Sequence, residues 1–491
     1  MNTKLKIKKW GWENASELIK SPNNVLDDFK KWIKQAVVVS AIRKPEYNTT
    51  DNLIILWKLL WEKNTNYEKI KAKLEEIRDF HIAIAKEKNI NNFGEIKEFI
   101  IKRFYEFLMK ITYNISSHDW INPNKDNDYL IQWIDRKIPV LWLWEIISAE
   151  IQSLIINNLW IDWLNSEIVN LNNISEKITS IDDENTIFKK LSEDISAKVI
   201  SIIENWNIAI IPWYIPWFEK WIENTIWRWY SDATASMTAV WLSKYYDVTL
   251  EIQKSVEWML SADPRIVTSK TKLIEKIDYL TAKEITWVRW AQAKLLHSQV
   301  LRKELQNSWI KVHLFDPFKN TKWTIISKNK SQTSNWVEYI WWRNNITVFS
   351  VSSWNMNSKW ILSEISLIAN EYASIDIVST SETEISFTID WDLTDKQLSE
   401  LSNKIRKSLD INEDWYENFV KYNKNKALVF CIGQNLSNNL WSLWKAATTL
   451  SKWWINIEMV SQWTMERAII FWIEWDNLNK AINLLHEEFI K

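Results

Sequence analysis

The chain has 491 residues, enough for two to four domains with substantial cores. Its 61 basic and 62 acidic residues give a net charge of −1, which excludes a global field favouring nucleic acid or an anionic membrane. A single cysteine, Cys431, excludes an internal disulfide framework, and the five histidines show no metal-ligand spacing. No apolar run typical of a signal peptide follows the basic segment Met1–Trp10, and the longest apolar run, Ile208–Phe218, is too short to span a bilayer. We therefore expect a soluble, cytoplasmic protein.

Glycine and tryptophan occur in unusual numbers, with 3 glycines and 37 tryptophans. Together they make up about 8% of the chain, which is a normal share for glycine alone. The tryptophans lie at turns and between strand-like and helix-like runs, where glycine is usual. We expect most of them to be glycines, in a lineage in which UGA encodes glycine. The alternative is a protein that is rich in tryptophan, for example one that stacks sugars or bases.

The first two thirds of the chain alternate strand-like with helix-like runs. Leu5–Lys8 and Ala36–Ala41 are typical of buried strands, and Asn14–Lys34 between them has helical periodicity. The alternation predicts an α/β fold with a mostly parallel, doubly wound sheet through about residue 330. The other predicted elements are strands at Ile138–Leu143, Ile208–Ile211 and Val248–Gln253 and helices at Asn52–Tyr113, Glu145–Asn158, Ala233–Lys244 and Thr281–Gln306.

After a polar linker at Lys328–Tyr339, a small α+β unit occurs twice. The step Ser374–Ser381 in the first copy resembles Ile455–Gln462 in the second, which indicates an internal repeat. The predicted strands are Ile346–Val351, Asp376–Ser379, Ile385–Asp390, Leu428–Ile432, Asn456–Ser461 and Ala468–Ile473, and the predicted helices are Leu362–Tyr372, Leu440–Lys452 and Leu478–Phe489.

Three local motifs indicate chemistry on an anion. Lys8–Trp12 follows the first strand; with glycine at its tryptophans, it is a glycine-rich turn that can cradle phosphate beside a lysine, or a purely structural turn. Glu145 follows a predicted strand end and is either functional or a solvated residue in a first helical turn. Arg228 lies in Trp227–Asp232, which with glycines becomes an anion-binding turn leading into a helix.

These motifs resemble, in order along nearly the whole chain, those of the aspartate kinases of the amino-acid kinase family. Lys8–Gly11 is similar to the family's Lys-Phe-Gly-Gly, and Trp144–Ala149 to its Gly-Glu-Leu-Leu-Ser-Ala. Trp227–Asp232 resembles Gly-Arg-Gly-Gly-Ser-Asp, and Val256–Arg265 resembles Val-Asp-Gly-Ile-Tyr-Thr-Ala-Asp-Pro-Arg. Ala293–His297 is similar to Ala-Lys-Val-Leu-His. The chain departs from the family motifs at Lys9, Glu13, Tyr230, Ser255 and Gln292, and a single reassigned codon does not explain these differences. Ser255 and Gln292 lie where the family contacts the nucleotide.

The resemblance implies an amino-acid kinase domain over residues 1–330, a three-layer sandwich around a mostly parallel sheet with a helical insertion at about 52–125. Two ferredoxin-like ACT domains at 340–411 and 412–491 would follow it. The implied activity is ATP-dependent phosphorylation of the β-carboxylate of L-aspartate to 4-phospho-L-aspartate, the first step towards lysine, threonine and methionine. The implied partners are Mg²⁺ carried by ATP, lysine or threonine as effector, and a second copy of the chain paired through the ACT domains. Since the printed chain stops after the second repeat, no fused homoserine dehydrogenase is expected.

The same resemblance implies the site residues. Those expected to be catalytic are Lys8, Arg228 and Asp232. Those expected to bind aspartate are Thr50, Glu145, Arg228 and Ser231. Those expected at the ATP site are Lys8, Trp10, Gly11, Lys254, Ser255, Leu260, Arg265, Lys294 and Leu295. Those expected to contact the effector are Met356, Ser358, Ser374, Ile375, Asp376, Thr380 and Ser381.

Two other functions remain open from the sequence. One is a different amino-acid kinase, acting on glutamate, acetylglutamate or UMP; the repeat pair and the Trp227–Asp232 motif argue against it. The other is a non-catalytic amino-acid sensor that keeps the fold and the ACT pair. Retention of Lys8, Glu145, Arg228 and Asp232 argues against that sensor.

Overall fold

A computed structural model describes most of the chain and divides it into two compact units, one formed by residues 1–258 and 295–328 and the other by residues 259–294 and 329–491. The described residues are 3–10, 20–39, 43–44, 47–48, 52, 55–56, 59, 67–87, 93–116, 140–157, 164–170, 184–212, 230–253, 259–287, 298–301, 303–315, 323–328, 337–352, 360–373, 375–389, 393–411, 419–434, 436, 441–462 and 467–490.

The elements are numbered in chain order. The strands are β1 (Lys4–Lys9), β2 (Lys34–Val39), β3 (Arg43–Lys44), β4 (Tyr47–Asn48), β5 (Ser166–Ile168), β6 (Ile208–Pro212), β7 (Asp247–Gln253), β8 (Lys276–Asp278), β9 (Lys311–Phe315), β10 (Thr324–Ser327), β11 (Tyr339–Ser352), β12 (Ile375–Thr380), β13 (Glu384–Ile389), β14 (Phe419–Ile432), β15 (Met459–Ser461) and β16 (Ala468–Glu474). The α-helices are α1 (Lys20–Phe29), α2 (Tyr67–Glu87), α3 (Phe93–Ser116), α4 (Val140–Asn157), α5 (Glu184–Ile203), α6 (Tyr230–Leu242), α7 (Tyr279–Trp287), α8 (Lys303–Asn307), α9 (Ile361–Asn370), α10 (Asp395–Ser408), α11 (Ser442–Lys452) and α12 (Leu478–Phe489).

The N-terminal unit is built on a sheet in which β1 lies near the middle. Within this unit the strand order is β5-β6-β2-β1-β7-β9-β10, and every neighbouring pair is parallel except β9 and β10. All six residues of β2 are buried, as expected for a strand in a parallel sheet covered on both faces. Helix α6 packs against β1 and β7, and α4 packs against β5 and β6. The predicted α/β class with a mostly parallel sheet is confirmed.

One predicted strand of this unit is wrong. The run Ile138–Leu143 was expected to be extended, but residues from Val140 onward form the first turn of α4. Helix α4 carries almost no charge and buries residues such as Ala149, Ile151 and Ile156. A short, continuously apolar run shows neither the two-residue period of a strand nor the 3.6-residue period of a helix. Its secondary structure therefore follows from the length of the whole element to which it belongs. As a result Glu145 lies inside a helix instead of at the end of a strand.

The C-terminal unit contains a six-stranded antiparallel sheet in the order β12-β13-β11-β14-β16-β15. Its two central strands, β11 and β14, have 14 residues each and pair along their whole length, from Tyr339 opposite Ile432 to Ser352 opposite Phe419. The second half of β11 and the first half of β14 pack with α9 and α10, whereas their other halves pack with α11 and α12. The two predicted repeats are therefore intertwined through shared strands, and each keeps its own core.

The segment 259–287 joins the second of these cores. Ala262 and Val267 are buried in the same cluster as Val429, Phe471 and Leu485. The segment 259–294, which lies within the range 1–330 predicted for the kinase domain, is thus part of the C-terminal unit, while the predicted domain boundaries at 1–330, 340–411 and 412–491 stay a prediction.

Four tryptophans have left-handed backbone conformations: Trp32, Trp206, Trp309 and Trp454, with φ between 56° and 61°. Each follows the end of a helix. After α1, Trp32 N–H donates to the carbonyl of Phe29 and Ile33 N–H donates to that of Asp28. This pair of bonds is the Schellman pattern, whose left-handed position is usually glycine because a side chain there crowds the backbone.

Candidate active site and the segments around it

Two lysines end strand β1, and strand alternation directs their side chains to opposite faces of the sheet. Lys8 Nζ lies 2.6 Å from Oδ2 of Asp28, and both side chains are buried. Lys6 on the same face lies 2.9 Å from Asp28 Oδ1 and 2.7 Å from Glu251 Oε1. Burial lowers the pKa of Lys8, and the carboxylates of Glu251 and Asp28 oppose that shift without cancelling it. Two ammonium groups and two carboxylates therefore balance one another on this face.

Lys9 points to the other face, toward helix α6. Its Nζ lies 2.8 Å from Oδ1 of Asp232, and neither side chain is exposed to solvent. Asp232 is in the first turn of α6, directly after the buried Ser231, so its charge is favourably placed near a helix N-terminus. β1 and α6 thus bring a cation, an anion and a helix N-terminus together at the carboxyl end of the central strand, where open parallel sheets bind ligands.

The segment after residue 258 holds two of the residues expected at the ATP site. Leu260 forms an isolated antiparallel bridge with Leu273. Arg265 donates to Asp263 through Nε and Nη2, at 2.9 and 2.6 Å from Oδ1 and Oδ2. Although burial raises the pKa of Asp263, the hydrogen bonds from Arg265 outweigh it and the pKa is lowered. The Arg265 side chain is 63% exposed, so it remains accessible to an anionic ligand.

This segment is held against helix α12 by polar side chains. His486 lies between two hydroxyls, with Nε2 2.9 Å from Ser261 Oγ and Nδ1 2.7 Å from Ser269 Oγ. Asn483 accepts from the backbone N–H of Thr268 and donates to the carbonyl of Ile266. Burial lowers the pKa of His486, which favours the neutral imidazole. A neutral ring has one donor and one acceptor nitrogen, and each hydroxyl can complete the pair.

A second link fixes the start of α7. Asp278 accepts from the N–H groups of Leu280 and Thr281 and so caps this helix. Its other oxygen lies 2.7 Å from Nη1 of Arg467, which also donates to the carbonyl of Gln434. Asp278 and Arg467 are 5% and 13% exposed, so this ion pair is largely protected from water.

The residues expected to contact an effector are partly described. Thr380 and Ser381 line a cavity of about 320 Å³ together with Ser350, Glu384 and Ser386, and the second repeat contributes Glu458, Met459 and Trp472. Ser386 Oγ donates to Glu384 Oε1 at 2.9 Å and lies 2.9 Å from Ser350 Oγ. Hydroxyls and a carboxylate make this cavity suited to a ligand with ammonium or hydroxyl groups. The backbones of Ile375 and Asp376 belong to β12, the strand that leads to it.

Several expected site residues lie outside the described part of the chain. They are Gly11, Thr50, Arg228, Lys254, Ser255, Lys294, Leu295, Met356, Ser358 and Ser374. Of those that are described, Lys8 and Trp10 are in or directly after β1, Ser231 and Asp232 begin α6, and Glu145 belongs to the backbone of α4. The structure brings Lys9 together with Asp232, and Lys8 together with Asp28.

Sequence reasoning did not select Lys9, Asp28, Glu251 or His486. Strand alternation could have shown that Lys8 and Lys9 face opposite ways, but not which face carries Asp232. Among the described residues, no group of three or more His, Cys, Asp or Glu side chains is arranged to hold a metal ion. Likewise, none of the described helices is both long and apolar enough to cross a membrane.

No family model matches the sequence. The chain is similar to chloroplastic aspartokinase 1 of Arabidopsis thaliana, with 24% identity over 256 residues that cover 49% of this chain and 42% of that protein. It is also similar to the lysine-sensitive aspartokinase 3 of Escherichia coli, with 24% identity over 298 residues that cover 58% of this chain and 61% of that protein. The chain thus spans about half the length of the curated relatives it matches.

The solved structures extend the similarity to the whole chain. The crystal structure of E. coli aspartokinase III in complex with aspartate and ADP matches with a TM-score of 0.67 and 19% identity, over 99% of this chain and 100% of that one. Aspartate kinase of Clostridium acetobutylicum matches with a TM-score of 0.71 and 19% identity, over 99% of both chains. The chain has the aspartokinase fold. The predicted α/β fold with a mostly parallel sheet is thereby supported.

Proposed function

We propose that this chain is an aspartate kinase, which transfers the γ-phosphoryl group of ATP to the β-carboxylate of L-aspartate. The observation that carries the proposal is the buried pairing of a lysine at the end of β1 with Asp232 at the start of α6, within an aspartokinase fold. The E. coli relative of this fold binds aspartate and ADP. We expect the enzyme to act in the cytoplasm.

The reaction needs no general base, because the β-carboxylate is already ionised at neutral pH. One carboxylate oxygen forms a bond to the γ-phosphorus while the bond from that phosphorus to the bridging oxygen breaks, and ADP leaves with the electron pair. Catalysis then consists of positioning and of neutralising the charge on the phosphoryl oxygens. Mg²⁺ would enter on the phosphates of ATP, held mainly by substrate oxygens and water.

The resemblance assigns roles to residues in this reaction. Arg228 would clamp the α-carboxylate of aspartate, Glu145 its ammonium group, and Thr50 would orient the side chain. Ser231 and Asp232 would hold the start of α6 near the reacting centre. Lys8 is the lysine that the family motif assigns to the transferred phosphoryl group.

We also propose that the intertwined repeats are ACT domains that sense an end product. The E. coli enzyme of this fold has been solved in complex with lysine and aspartate, which favours lysine as the effector; threonine is the alternative. The cavity at Thr380 and Ser381, which Glu458, Met459 and Trp472 of the second repeat also line, supports a ligand site in this unit. Such an effector would act by binding one of two conformations more tightly, across a dimer formed through the repeats.

The tryptophans are proposed to stand for glycines, and two observations support this. Four of the six described non-glycine residues with positive φ are tryptophans. In addition, the indole N–H groups of Trp10, Trp341, Trp342 and Trp472 are buried without a hydrogen-bond acceptor among the described residues. A buried donor without a partner costs about 1–3 kcal/mol, a cost that glycine would not carry.

Mass spectrometry tests the glycine assignment. The intact protein from its source should have a mass far below that of the printed sequence, and the peptide around position 454 should contain glycine. In the printed chain, Trp454→Gly should raise stability by about 1 kcal/mol, because φ there is 58°. Trp453→Gly, at a neighbouring residue with φ of −106°, is the control and should not stabilise. A native peptide with tryptophan at position 454 would refute the assignment.

An ADP-release assay tests the enzymatic proposal. Purified protein with glycine at the tryptophan positions is given ATP, Mg²⁺ and one acceptor at a time: aspartate, glutamate, acetylglutamate or UMP. Release that depends on aspartate is expected. Release with another acceptor but not with aspartate would replace the substrate, and no release with any of them would favour a non-catalytic sensor.

A further inference from the structure

Strand β7 ends at Gln253, at the carboxyl edge of the parallel sheet in the N-terminal unit. β7 lies between β1 and β9 and runs parallel to both. Open parallel sheets bind their ligands beyond the carboxyl ends of the strands. Gln253 therefore lies at the ligand-binding edge, directly before Lys254 and Ser255, two of the residues expected at the ATP site.

The side-chain amide of Gln253 has no hydrogen-bond partner among the described residues. Both its nitrogen and its oxygen are unpaired, and the residue is fully buried, so water does not replace the missing partners. A primary amide has two donors and an acceptor oxygen. Since nearly all buried polar groups in proteins are paired, an amide with neither atom paired at this edge indicates a ligand that can donate as well as accept.

Gln35 is a buried glutamine near the opposite end of the same sheet. It belongs to β2, and its amide nitrogen donates to the backbone carbonyl of Val25 at 2.8 Å, which ties α1 to the sheet. The same residue type thus makes a structural hydrogen bond at the amino end of one strand and none at the carboxyl end of another. Gln35 is therefore the matched control for Gln253.

Gln253 lies beside the turn that follows β1. Lys9 of β1 is opposite Ile252 of β7, so Trp10 is the next residue of β1 along this pairing and neighbours Gln253. Adjacent strands are about 4.8 Å apart, and strand alternation directs these two side chains to the same face of the sheet. With glycine at position 10, as proposed above, this strand end carries no side chain, and a ligand can approach the amide.

The sugar of a nucleotide fits this arrangement. In dinucleotide-binding folds a glycine-rich turn after the first strand holds the phosphates, while another side chain binds a ribose hydroxyl. With glycines at its tryptophans, Lys8–Trp12 is such a turn, and Gln253 ends the neighbouring strand. A hydroxyl both donates and accepts, so it can pair with either atom of the amide. Phosphate oxygens only accept at neutral pH and would leave the amide oxygen unpaired.

We infer that the Gln253 amide binds a ribose hydroxyl of ATP and so selects ribonucleotides over deoxyribonucleotides. The inference rests on the proposed kinase function and goes beyond it, because the family resemblance does not place Gln253 among the residues at the ATP site. The ribose is remote from the γ-phosphorus, so Gln253 acts on the affinity for the nucleotide and not on the chemical step.

Calorimetry in the presence of Mg²⁺ tests the inference with ADP, 2′-deoxy-ADP and 3′-deoxy-ADP. The parent chain has glycine at the tryptophan positions, and it is compared with its variants Gln253→Met and Gln35→Met. We expect one of the two deoxynucleotides to bind the parent chain about 10-fold more weakly than ADP, the effect of one hydrogen bond. In Gln253→Met this ratio should fall to about 1, because only the affinity for ADP decreases. In Gln35→Met the ratio should stay at about 10, while the melting temperature falls because the carbonyl of Val25 loses its donor.

Two results would overturn the inference: equal binding of all three nucleotides to the parent chain, or a ratio in folded Gln253→Met that equals that of the parent. If Gln253→Met does not fold, Gln253→Asn keeps the amide but shortens the side chain by one methylene group, and it should lose the ratio; a full ratio in Gln253→Asn would also overturn the inference. A preference for ADP over GDP that Gln253→Met loses, with the deoxynucleotide ratios unchanged, would assign the amide to the base and reject the ribose contact.

The outcome for the proposed function is distinguishable. If the parent chain binds ADP but does not turn over aspartate, the kinase proposal fails, and the same binding ratios still decide the role of Gln253. If the parent chain binds no ADP, both proposals fail.

Discussion

The two repeats of the C-terminal unit share one sheet but differ in the segments that pack against them. The second repeat includes Ala262 and Val267 in its core and binds the segment 259–287 through His486, Asn483 and Arg467. The core of the first repeat is formed by α9, α10 and residues of β11, β12, β13 and β14, and the serine-lined cavity is lined by β11, β12 and β13 together with Glu458, Met459 and Trp472 of the second repeat. The second repeat thus anchors a segment predicted to bind ATP, whereas most of the residues that line the cavity belong to the first repeat.

This contrast suggests how a ligand on the first repeat could reach the nucleotide segment. The strands β11 and β14 contribute residues to both cores and so connect the two repeats through one continuous pairing. A coupling of this kind requires two arrangements of the shared strands that ligand and ATP bind with different affinities.

The largest expected effect comes from breaking the anchor at its ion pair. Arg467→Met leaves Asp278 buried with one partner fewer, and removal of one member of a buried pair costs about 3 kcal/mol or more. Urea unfolding monitored at the C-terminal unit should show this loss. Lys404→Met, which breaks the exposed pair of Lys404 with Glu371 in the first repeat, is the matched control and should leave stability unchanged. Equal losses in the two variants would remove the distinction between the repeats.

The next effect concerns function. His486→Leu removes both hydrogen bonds to the nucleotide segment, so we expect the KM for ATP to rise about 10-fold, equivalent to about 1.4 kcal/mol of positioning, with little change in the KM for aspartate. His486→Gln, which keeps one amide donor and one acceptor, should recover part of the loss. A KM for ATP that does not change in the leucine variant would mean that the clamp is purely structural.

A smaller effect is expected from the first repeat. Thr394 and Gln397 form a reciprocal capping box at the start of α10, and Thr394→Ala should cost about 1 kcal/mol of stability. Because α10 packs only in the core of the first repeat among the described residues, the KM for ATP should not change. Steady-state kinetics with varied ATP checks this, and a rise in that KM would show that the two repeats are not separable.

The smallest effect is a dependence on pH. Burial lowers the pKa of His486 below its ordinary value of 6.5, so the unfolded chain binds a proton more readily than the folded chain. The stability contributed by the neutral ring is therefore complete above about pH 6.5 and is lost as the pH falls below it. The melting temperature of the wild type should fall more between pH 7.5 and pH 5.5 than that of His486→Gln. Parallel decreases would assign the pH dependence to other groups.

Much of this architecture could be predicted from local patterns. The run Val37–Val39 is buried on both faces of a parallel sheet, and Leu478–Phe489 is a helix with the predicted limits, because its apolar residues recur at helical spacing. The order of elements in both repeats was also evident, although helix α10 of the first repeat was not predicted. The apolar run at 138–143 was misassigned because it carries neither period.

What could not be predicted depends on long-range packing. Nothing near Ser261 in the sequence indicates that its partner is His486, 225 residues away. The sequence shows two adjacent lysines, but only the position of α6 against β1 distinguishes Lys9, beside Asp232, from Lys8, beside Asp28. The family resemblance supplied Lys8 and Asp232 as site residues. The fold places Asp232 beside Lys9, on the face of β1 opposite to Lys8.

The central claim is that the chain phosphorylates aspartate, and trapping the product tests it most directly. The protein with glycine at the tryptophan positions is incubated with ATP, Mg²⁺, aspartate and hydroxylamine, which converts an acyl phosphate into a hydroxamate. We expect aspartyl hydroxamate to form in proportion to ADP, and to decrease when lysine or threonine is added. ADP release without hydroxamate, or hydroxamate only when another acceptor replaces aspartate, would contradict the account.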